Sequence, residues 1–498
     1  MNAAIRKVTL VLALAFGALF VNLNVVQLGR STELAEHPSN PRQYLQEFTV
    51  RRGEILAADG TVLAESVETK DDRYPYRRRY PLEELFGHIT GYWASSFFCG
   101  NAGLERFQDA YLTGEQPATT QSFVDELLGR ERAGNVIQIT IDPRVQEVAR
   151  KALGDQKGSV AAIDPRTGAV LALYANPAYN PNQIARHGPE DCIDAKEKLD
   201  ARPNNPLLFR ATQERFPPGS TFKILVSAGA LEAGYTPGSP IPARSSYQPP
   251  GTDKSIRNYD GGACGGTLLR SLEVSCNTAF AYIGAELVKP KPLTTMVRKF
   301  GLDSEPDFDI EATVSCFVAI PGAGCSRSIL EPAFVAQSSI GQYNVRTTAL
   351  QMASVGATVA AGGRVAKPYL VQRVLDPAGG ILVETTPEIG KRIYKKSTAE
   401  SLKQMLVSVV RFGTGAVVGF SEASSGIIGG KTGTAQTGTD DPPHVWFVAF
   451  APDVAVAVVV ENGGVLGSEA TGGRVAGPIA KAVLEKVRAL NRNVRETR

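Results

Sequence analysis

Apolar residues dominate positions 8–28 of the chain, and two positive charges, Arg6 and Lys7, stand directly before them. A run of this length suits one helix across a lipid bilayer, with its positively flanked end in the cytoplasm. A cleaved signal peptide is the alternative, but no clean small-x-small cleavage site follows the run. The pattern therefore predicts a cytoplasmic stub and transmembrane anchor over residues 1–29, with the remaining chain on the extracytoplasmic side of the membrane.

Residues 30–156 are polar and irregular, and their pattern predicts only short elements. Two short stretches, 52–56 and 61–64, flank an Asp-Gly turn and are predicted to be strands. Residues 135–141 alternate like a strand, and residues 143–153 have the spacing of an amphipathic helix. No catalytic group of residues stands out, so we interpret this part as a pedestal or dimerisation-like domain.

From residue 157 to residue 498 the pattern changes to compact apolar strands separated by amphipathic helices. Two early apolar runs around a Pro-Arg-Thr-Gly turn indicate a hairpin, and three apolar runs with tight connections come near the end. The predicted strands are 159–164, 169–174, 427–436, 445–451 and 454–461. We therefore expect an α+β domain with one antiparallel five-stranded sheet, built from the early hairpin and the late strands and covered by helices.

Helical periodicity and stop signals in this domain place the helices. The predicted helices are 220–233, a helix from about 267, 349–361, 397–411 and 473–490. A second, peripheral hairpin is expected over residues 370–376 and 381–385.

Charge and composition exclude several classes of function. The net charge of +3 comes from 53 basic and 50 acidic residues, without a basic face that would attract nucleic acid. Four histidines and six scattered cysteines form no C-x-x-C or H-E-x-x-H pattern, so we expect no metal site and no cofactor. Extracytoplasmic cysteines can pair, and Cys316 with Cys325 is the first pairing to expect, although sequence leaves the connectivity open.

The segment Phe-Pro-Pro-Gly-Ser-Thr-Phe-Lys at 216–223 carries the strongest chemical signal. Its prolines and glycine cannot continue a preceding helix, whereas Ser220 suits the start of a new one. On that helix Ser220 and Lys223 stand on one face, within the first turn. The positive end of the helix dipole disfavours a charged ammonium there, so Lys223 is predicted to be a neutral base beside a nucleophilic serine.

Two further short motifs follow in the chain. Ser-Cys-Asn at 275–277 falls inside the helix predicted from residue 267, and Lys-Thr-Gly-Thr at 431–434 falls on the strand 427–436. Each motif alone is weak, because three or four fixed letters recur by chance in long chains. The three together, in this order, are typical of penicillin-binding proteins and serine β-lactamases. Cys276 is interpreted as a small buried side chain rather than a nucleophile.

The resemblance extends well beyond these motifs, because residues 158–489 resemble the transpeptidase domain of class B penicillin-binding proteins. The supporting segments are 162–172, 216–223, 275–280, 430–436 and 446–452. The resemblance implies a serine β-lactamase/transpeptidase-like domain on an irregular N-terminal pedestal. Two departures lie outside the catalytic motifs: Ala57 and Ala58 in the pedestal, and Tyr343 where relatives often have glycine.

The chemistry of the residue types assigns the catalytic roles. Ser220 needs a base to attack a carbonyl, and Lys223 is the candidate held at helical spacing. Lys431 brings a second cation to the same cleft, which further disfavours the charged form of Lys223. Ser275 is expected to pass a proton to the leaving amine.

Substrate binding is expected from Asn277 and from the strand residues of the third motif. Asn277 offers both a donor and an acceptor, which suits a peptide amide. The strand residues are Lys431, Thr432, Gly433 and Thr434. They lie on an edge strand that can pair with an extended substrate, and their charge and hydroxyls suit a terminal carboxylate. The resemblance implies that the backbone N–H groups of Ser220 and Thr434 bind the oxyanion.

The resemblance implies a serine D,D-transpeptidase that cross-links peptidoglycan. Ser220 would attack the penultimate D-Ala of a stem-peptide donor ending in D-Ala-D-Ala, and the acyl group would pass to an amine acceptor. β-Lactams are expected to acylate the same serine. No glycosyltransferase-sized domain precedes the catalytic one, so a membrane glycan polymerase, bound through the anchor and pedestal, is the expected partner.

Three other functions remain open from the sequence. A class D-like serine β-lactamase shares Ser-Thr-Phe-Lys, but it typically has an apolar residue at the place of Asn277 and needs no anchor and pedestal. A D,D-carboxypeptidase differs only in using water as the acceptor. A β-lactam sensor or a non-catalytic scaffold is the alternative of a different class. A sensor should carry a cytoplasmic module, whereas about seven residues precede the anchor, and a scaffold should lose a motif residue.

Overall fold

The fold is taken from a computed structural model of the chain. It describes residues 2–31, 48–71, 74–94, 99–115, 133–186, 189–320, 324–325, 331–420 and 427–496. Residues 32–47, where the predicted pedestal begins, lie outside this described part.

The helices and strands fall into three groups along the chain: one long N-terminal helix, the short elements of the predicted pedestal, and the longer elements of the predicted C-terminal domain. The helices are α1 Asn2–Asn24, α2 Gly87–Thr90, α3 Gly103–Phe107, α4 Asp109–Leu112, α5 Pro143–Leu153, α6 Pro189–Asp200, α7 Lys223–Glu232, α8 Leu268–Glu273, α9 Asn277–Tyr282, α10 Pro290–Lys299, α11 Pro332–Ser338, α12 Ala349–Ala360, α13 Lys396–Phe412 and α14 Ala476–Glu496. The strands are β1 Ile55–Leu56, β2 Val62–Glu68, β3 Tyr76–Arg79, β4 Val136–Ile139, β5 Gly158–Ile163, β6 Val170–Asn176, β7 Pro240–Arg244, β8 Ser246–Tyr247, β9 Ile256–Arg257, β10 Cys264–Thr267, β11 Ala319–Ile320, β12 Gly324–Cys325, β13 Arg364–Ala366, β14 Val371–Leu375, β15 Ile381–Glu384, β16 Ile389–Arg392, β17 Gly429–Ala435, β18 His444–Ala451 and β19 Val454–Val460.

An antiparallel sheet of five strands forms the centre of the C-terminal part, in the order β17-β18-β19-β5-β6. The early hairpin joins the late strands through β19, where Ala457 lies opposite Ala161. Every residue of β19 is buried, as its uninterrupted Val/Ala sequence predicts for a central strand covered on both faces. The predicted α+β fold and its five-stranded antiparallel sheet are confirmed.

Helices cover both faces of this sheet. Val448 and Phe450 of β18 pack into the core that also contains residues of α12. Phe447 and Ala449 point to the other face and pack with residues of α14 and α5. This alternation follows from the two-residue period of a strand. The helices predicted over 349–361 and 473–490 therefore supply the two covering layers.

The hairpin predicted over residues 370–376 and 381–385 forms as β14 and β15, but it is not peripheral. β14 pairs with β4, and the resulting six-stranded sheet has the order β15-β14-β4-β1-β2-β3. Val374 lies opposite Ile137, and both side chains are buried. The alternation of apolar and polar residues predicts the hairpin. Its partner strand, β4, lies far earlier in the chain, and the two strands pair because they bury apolar side chains on the same face of the sheet.

The basic run at residues 77–79 lies on β3 and is partly neutralised within the pedestal. Arg78 Nε donates to Glu105 Oε1 over 2.5 Å, and Arg52 Nε donates to Glu105 Oε2 over 3.1 Å. Glu105 is fully buried, and a buried carboxylate needs such partners to remain charged. The shared carboxylate ties β3 to the chain around Arg52.

The N-terminal helix α1 continues as a π-helical turn, Val25–Gly29. The stretch Ile5–Gly29 has 25 residues, and an 18-residue window within it has a mean hydropathy of 2.2 and is not buried against the rest of the chain. At 1.5 Å per residue this stretch spans about 37 Å, more than the hydrocarbon core of a bilayer at about 30 Å. It is therefore long and apolar enough to cross a membrane.

Three disulfides join the cysteines in pairs. The pairs are Cys99–Cys192, Cys264–Cys276 and Cys316–Cys325. The expected pairing of Cys316 with Cys325 is confirmed. Cys99 and Cys192 are 93 residues apart in sequence and meet only through the fold, so spacing alone does not predict that pair.

Candidate active site

Ser220 lies in a turn of 3-10 helix, Gly219–Phe222, that leads directly into α7. The sequence predicts one α-helix from residue 220, so the first turn is tighter than expected. The hydroxyl of Thr221 donates to the Pro218 carbonyl over 2.7 Å and holds this turn. Ser220 is partly exposed, whereas Thr221 and the residues before Ser220 are buried. Ser220 is therefore the accessible residue of the turn.

Gly219 brings this turn against strand β17. Gly219 has a φ of +52°, and a side-chain carbon added there would lie 2.6 Å from the carbonyl oxygen of Thr434. Glycine is the residue that accepts both this conformation and this approach. The turn therefore lies directly against Thr434, as an oxyanion site formed by the N–H groups of Ser220 and Thr434 requires.

The Ser-Cys-Asn motif at 275–277 lies between two helices, which corrects the prediction that it lies inside one. α8 ends before it and α9 begins at Asn277, because Ser275 has a φ of +57° and interrupts the helical path. The break leaves the Ser275 carbonyl free for Lys223, whose Nζ donates to it over 2.7 Å. In a continuous helix that carbonyl would accept from its own backbone four residues later.

A disulfide and an asparagine hold this break in place. Cys276 is buried, as predicted, and it is also bonded to Cys264 at the start of β10. Asn258 Oδ1 accepts from the Thr278 N–H over 3.0 Å, and Asn258 Nδ2 donates to the Arg244 carbonyl over 2.9 Å. Sequence reasoning missed Asn258, and no motif in the sequence points to it.

Lys223 is fully buried, and oxygen atoms surround its amine. Its Nζ donates to the Ser275 carbonyl over 2.7 Å and to Asn277 Oδ1 over 2.8 Å, and it lies 3.3 Å from Ser275 Oγ. Burial, and then the charge of Lys431, hold the pKa of Lys223 well below its usual value. Within the described part of the chain, no hydrogen bond joins Lys223 Nζ to Ser220 Oγ; such contacts often tighten only with substrate bound.

Lys431 is buried on β17 and reaches the same serine. Its Nζ donates to Ser275 Oγ over 2.9 Å and to the Thr432 carbonyl over 3.1 Å. Burial lowers the pKa of Lys431 to about 7. Ser275 Oγ thus lies between Lys223 and Lys431, two amines whose charged forms are both disfavoured. The structure brings these three side chains together, as the sequence predicts, and Asn277 joins them through its bond to Lys223.

Strand β17 is the edge of the five-stranded sheet, with β18 on one side only. A side-chain carbon at Gly433 would lie 2.8 Å from the Pro218 carbonyl, so this glycine lets the strand approach the turn that carries the serine. Thr432 Oγ1 is hydrogen-bonded to Thr414 Oγ1 over 2.8 Å, a contact to which no motif points. Thr434 is partly exposed. The strand can therefore receive an extended peptide next to the serine.

Two family models match this chain. Residues 52–137 match the penicillin binding protein A dimerisation domain, and residues 158–485 match the penicillin binding protein transpeptidase domain. The chain belongs to the penicillin-binding protein transpeptidase family. The resemblance to class B penicillin-binding proteins is thereby confirmed.

Penicillin-binding proteins from mycobacteria are similar over nearly the whole length. The peptidoglycan D,D-transpeptidase PbpA of Mycolicibacterium smegmatis is 37% identical over 97% of this chain and 98% of that protein. PbpA of Mycobacterium tuberculosis is 36% identical, over 97% of this chain and 99% of that protein. The anchor, the short pedestal and residues 338–345 indicate penicillin-binding protein A within the family, and these relatives confirm that subfamily.

A solved penicillin-binding protein of the same kind has a similar structure. Penicillin-binding protein A from M. tuberculosis, as its ceftriaxone acyl-enzyme complex, matches with a TM-score of 0.80 and 36% identity, over 89% of this chain and 99% of that chain. Its penicillin G acyl-enzyme complex matches with a TM-score of 0.78 and 35% identity, over 88% and 99%. The relative with this similar structure therefore forms acyl-enzymes with β-lactams.

Proposed function

We propose that the chain is a serine D,D-transpeptidase that cross-links peptidoglycan stem peptides through an acyl-enzyme on Ser220. The observation that supports this most directly is the buried amine of Lys223, which three oxygen contacts hold beside the serine turn. Its depressed pKa favours the neutral amine, which acts as a base. A serine hydroxyl becomes an effective nucleophile beside such a base.

Acylation begins when Ser220 Oγ attacks the carbonyl carbon of the penultimate D-Ala and Lys223 Nζ takes the hydroxyl proton. The N–H groups of Ser220 and Thr434 stabilise the oxyanion that forms. Collapse of this intermediate breaks the peptide C–N bond, and the leaving nitrogen receives a proton through Ser275 Oγ. The products are an ester on Ser220 and free D-Ala.

The second half-reaction transfers the acyl group from Ser220. The amine of a second stem peptide attacks the ester carbonyl, and its proton passes through Ser275 Oγ to Lys223 Nζ. Ser220 Oγ leaves and takes this proton from Lys223, and the new amide bond joins two stem peptides. A water molecule in place of the amine would give a carboxypeptidase, so occupancy by the acceptor decides between the two outcomes.

Strand β17 is proposed to bind the donor peptide as an additional strand, with its terminal carboxylate at Lys431 and at the hydroxyls of Thr432 and Thr434. Gly433 provides the space for this close approach. Asn277 Oδ1 holds Lys223, and its Nδ2, which makes only a long bond of 3.4 Å to the Arg257 carbonyl, is available for a substrate carbonyl. β-Lactams would occupy the same position as D-Ala-D-Ala and acylate the serine.

We also propose the placement of the domains in the cell envelope. Residues 1–29 form the cytoplasmic stub and anchor, residues 30–156 the pedestal and residues 157–498 the catalytic domain outside the cytoplasm. The apolar helix over Ile5–Gly29 supports a single-pass membrane location. A membrane glycan polymerase that binds the anchor and pedestal would supply the strands to be cross-linked.

The affinity for the terminal carboxylate is expected to fall as the pH rises through 7. Lys431, whose pKa lies at about 7, is an ammonium below that pH and a neutral amine above it. We expect the KM of a free-acid D-Ala-D-Ala peptide to rise about tenfold between pH 6 and pH 8.5, as the charge-assisted contact is lost. The amide-capped peptide serves as the control and should show a constant KM. A flat KM for the free acid would contradict this role of Lys431.

The reaction class is tested with purified full-length chain, a D-Ala-D-Ala peptide and an amine acceptor. We expect the acceptor to increase D-Ala release and mass spectrometry to detect the joined product. The Ser220→Ala variant should release none. Hydrolysis without a joined product would indicate a carboxypeptidase, and rapid loss of a fluorescent penicillin adduct would indicate a β-lactamase. A complete failure to bind penicillin would indicate a non-catalytic scaffold rather than an enzyme.

A further inference from the structure

Two arginines, Arg215 and Arg346, stand near each other beside the serine turn. Phe216 is bridged to Thr347, and Cys316 is bridged to Arg346, both as antiparallel pairs. Arg215 Nη1 also donates to the sulfur of Cys316 over 3.2 Å. The two guanidinium groups are thus fixed on adjoining backbone segments. Both residues are partly exposed, so a ligand can reach them.

Among the residues that the structure describes, neither guanidinium group has an acidic partner. Arg346 Nη1 donates to the carbonyls of Tyr343 over 3.0 Å and Val345 over 2.9 Å, and Arg215 Nη1 donates to the Val314 carbonyl over 3.2 Å. Across the described residues, no carboxylate lies within 4.0 Å of either group. Burial, and then the charge of Arg215, lower the pKa of Arg346. Two uncompensated positive charges in one place favour a bound anion.

The pair lies within reach of a peptide held at Ser220. Arg215 precedes Ser220 by five residues, which limits the separation along the chain to about 18 Å. On the other side, the Gly341 carbonyl accepts from the Gly219 N–H over 3.0 Å, and Gly341 is two residues before Tyr343. Four extended peptide residues cover about 14 Å, and the long side chains of the arginines extend towards the peptide, so the part of a donor that precedes the scissile bond can reach them.

An exposed aromatic pair borders the arginines. Phe334 and Tyr343 stack with ring centroids 5.0 Å apart, and 43% and 36% of their surfaces are exposed. Tyr343 has a φ of +63°, a conformation that costs an aromatic residue free energy and that glycine would adopt without strain. The bond from Arg346 to its carbonyl holds this turn. An exposed aromatic residue kept in a strained turn indicates contact with another molecule.

We propose that Arg215 and Arg346 bind a side-chain carboxylate of the donor stem peptide, upstream of its D-Ala-D-Ala end. The stacked rings of Phe334 and Tyr343 cover the apolar atoms in between. The planar guanidinium group of arginine can form two parallel hydrogen bonds to a carboxylate, which the ammonium group of lysine cannot do. The site rests on the proposed function, since it requires a peptide donor. The enzyme would then select donor peptides that carry two carboxylates at a fixed spacing, the terminal one at Lys431 and the internal one at the two arginines.

The test compares two peptides ending in D-Ala-D-Ala that differ only in one internal side-chain group, a carboxylate in one and its amide in the other. Wild-type chain is expected to use the carboxylate peptide with about tenfold higher kcat/KM, mostly through KM. Arg346→Gln and Arg215→Gln should each remove most of this preference while leaving the amide peptide unchanged. Arg346→Lys should retain part of it, since the charge remains.

Two controls separate recognition from folding. Arg373→Gln changes a surface arginine that pairs with Glu384 on another sheet, and it should leave both peptides unaffected. Penicillin lacks the upstream peptide, so all variants should keep the wild-type acylation rate. A variant that loses penicillin acylation has a disturbed site and is replaced in the comparison by the second arginine variant.

The outcomes distinguish this site from the proposed function. Equal use of both peptides by the wild-type chain, or an equal decrease for both in the arginine variants, would overturn the carboxylate site while penicillin acylation upholds the enzyme. Inhibition by pyrophosphate that disappears in Arg346→Gln, without discrimination between the peptides, would assign the site to a diphosphate and overturn the proposal. Failure of penicillin to acylate the wild-type chain would instead refute the proposed function.

Discussion

Replacement of Lys223 by methionine is expected to lower the rate constant for penicillin acylation about 1000-fold, within the range of about 10²–10⁴ for a general base. Methionine has a similar length and fills the same buried space, so packing is largely kept. The substitution removes the amine that takes the proton of Ser220. Quenched-flow labelling with a fluorescent penicillin measures the rate.

A matched control is Lys299→Met on α10, where an exposed amine donates to the Ile393 carbonyl over 3.3 Å. This control should acylate at the wild-type rate. Lys223→Met should also melt at a lower temperature, because the partly buried Ser275 carbonyl loses its donor at a cost of about 1 kcal/mol. A Lys223→Met variant that acylates within tenfold of wild type would contradict the role of Lys223 as the base.

Gly219→Ala is expected to slow acylation about 100-fold, although it adds only one methyl group. That carbon would lie 2.6 Å from the Thr434 carbonyl oxygen and 2.9 Å from its carbonyl carbon, so the turn and β17 must separate. Their separation moves the N–H groups of Ser220 and Thr434 apart. Loss of one oxyanion donor costs about 10²–10³-fold, and penicillin and peptide should be affected alike.

Gly379→Ala separates the effect of this contact from that of backbone strain. Gly379 has a φ of +89° in the hairpin between β14 and β15, and an added carbon there meets no atom within 4 Å. The variant should lose about 1 kcal/mol of stability and keep its acylation rate. If Gly379→Ala slowed acylation as much as Gly219→Ala, close approach to Thr434 would not explain the effect.

The regular elements of the catalytic domain could be predicted because their burial leaves a periodic trace. The helix predicted over 143–153 has those bounds as α5, and the Val/Ala run of β19 identifies a strand covered on both faces. The pairing of β5 with β6 and the pairing among the late strands follow from the hairpin and from tight connections. These features are local, so sequence spacing is sufficient to find them, whereas the pairing of β19 with β5 joins distant parts of the chain.

Long-range pairing and helix breaks could not be predicted in the same way. β14 joins β4 because both bury apolar side chains on a shared face, and nothing near residue 371 specifies that partner. The positive φ of Ser275 is set by the contacts around it: Lys223 bonds its carbonyl, and a disulfide fixes Cys276 to Cys264. Helical propensity in that segment gives no sign of either contact.

The sequence predicts which residues form the site better than it predicts the hydrogen bonds between them. Three-residue spacing predicts that Ser220 and Lys223 share a face, and three motifs predict which side chains enter the cleft. Spacing does not reveal which acceptor lies nearest to Lys223 Nζ. In the structure these acceptors are the Ser275 carbonyl and Asn277 Oδ1. The oxyanion contact depends on Gly219, whose position after two prolines indicates only that a preceding helix ends there.

The most direct test of Ser220 as the nucleophile is the intact mass of the full-length chain after incubation with penicillin, followed by peptide mapping. We predict a single, long-lived addition of one penicillin, located on Ser220 in the peptide that contains residues 216–223. Ser220→Ala should show no addition under the same conditions. An adduct on Ser275 or any other residue, or undiminished labelling of Ser220→Ala, would contradict the assignment of Ser220 as the nucleophile.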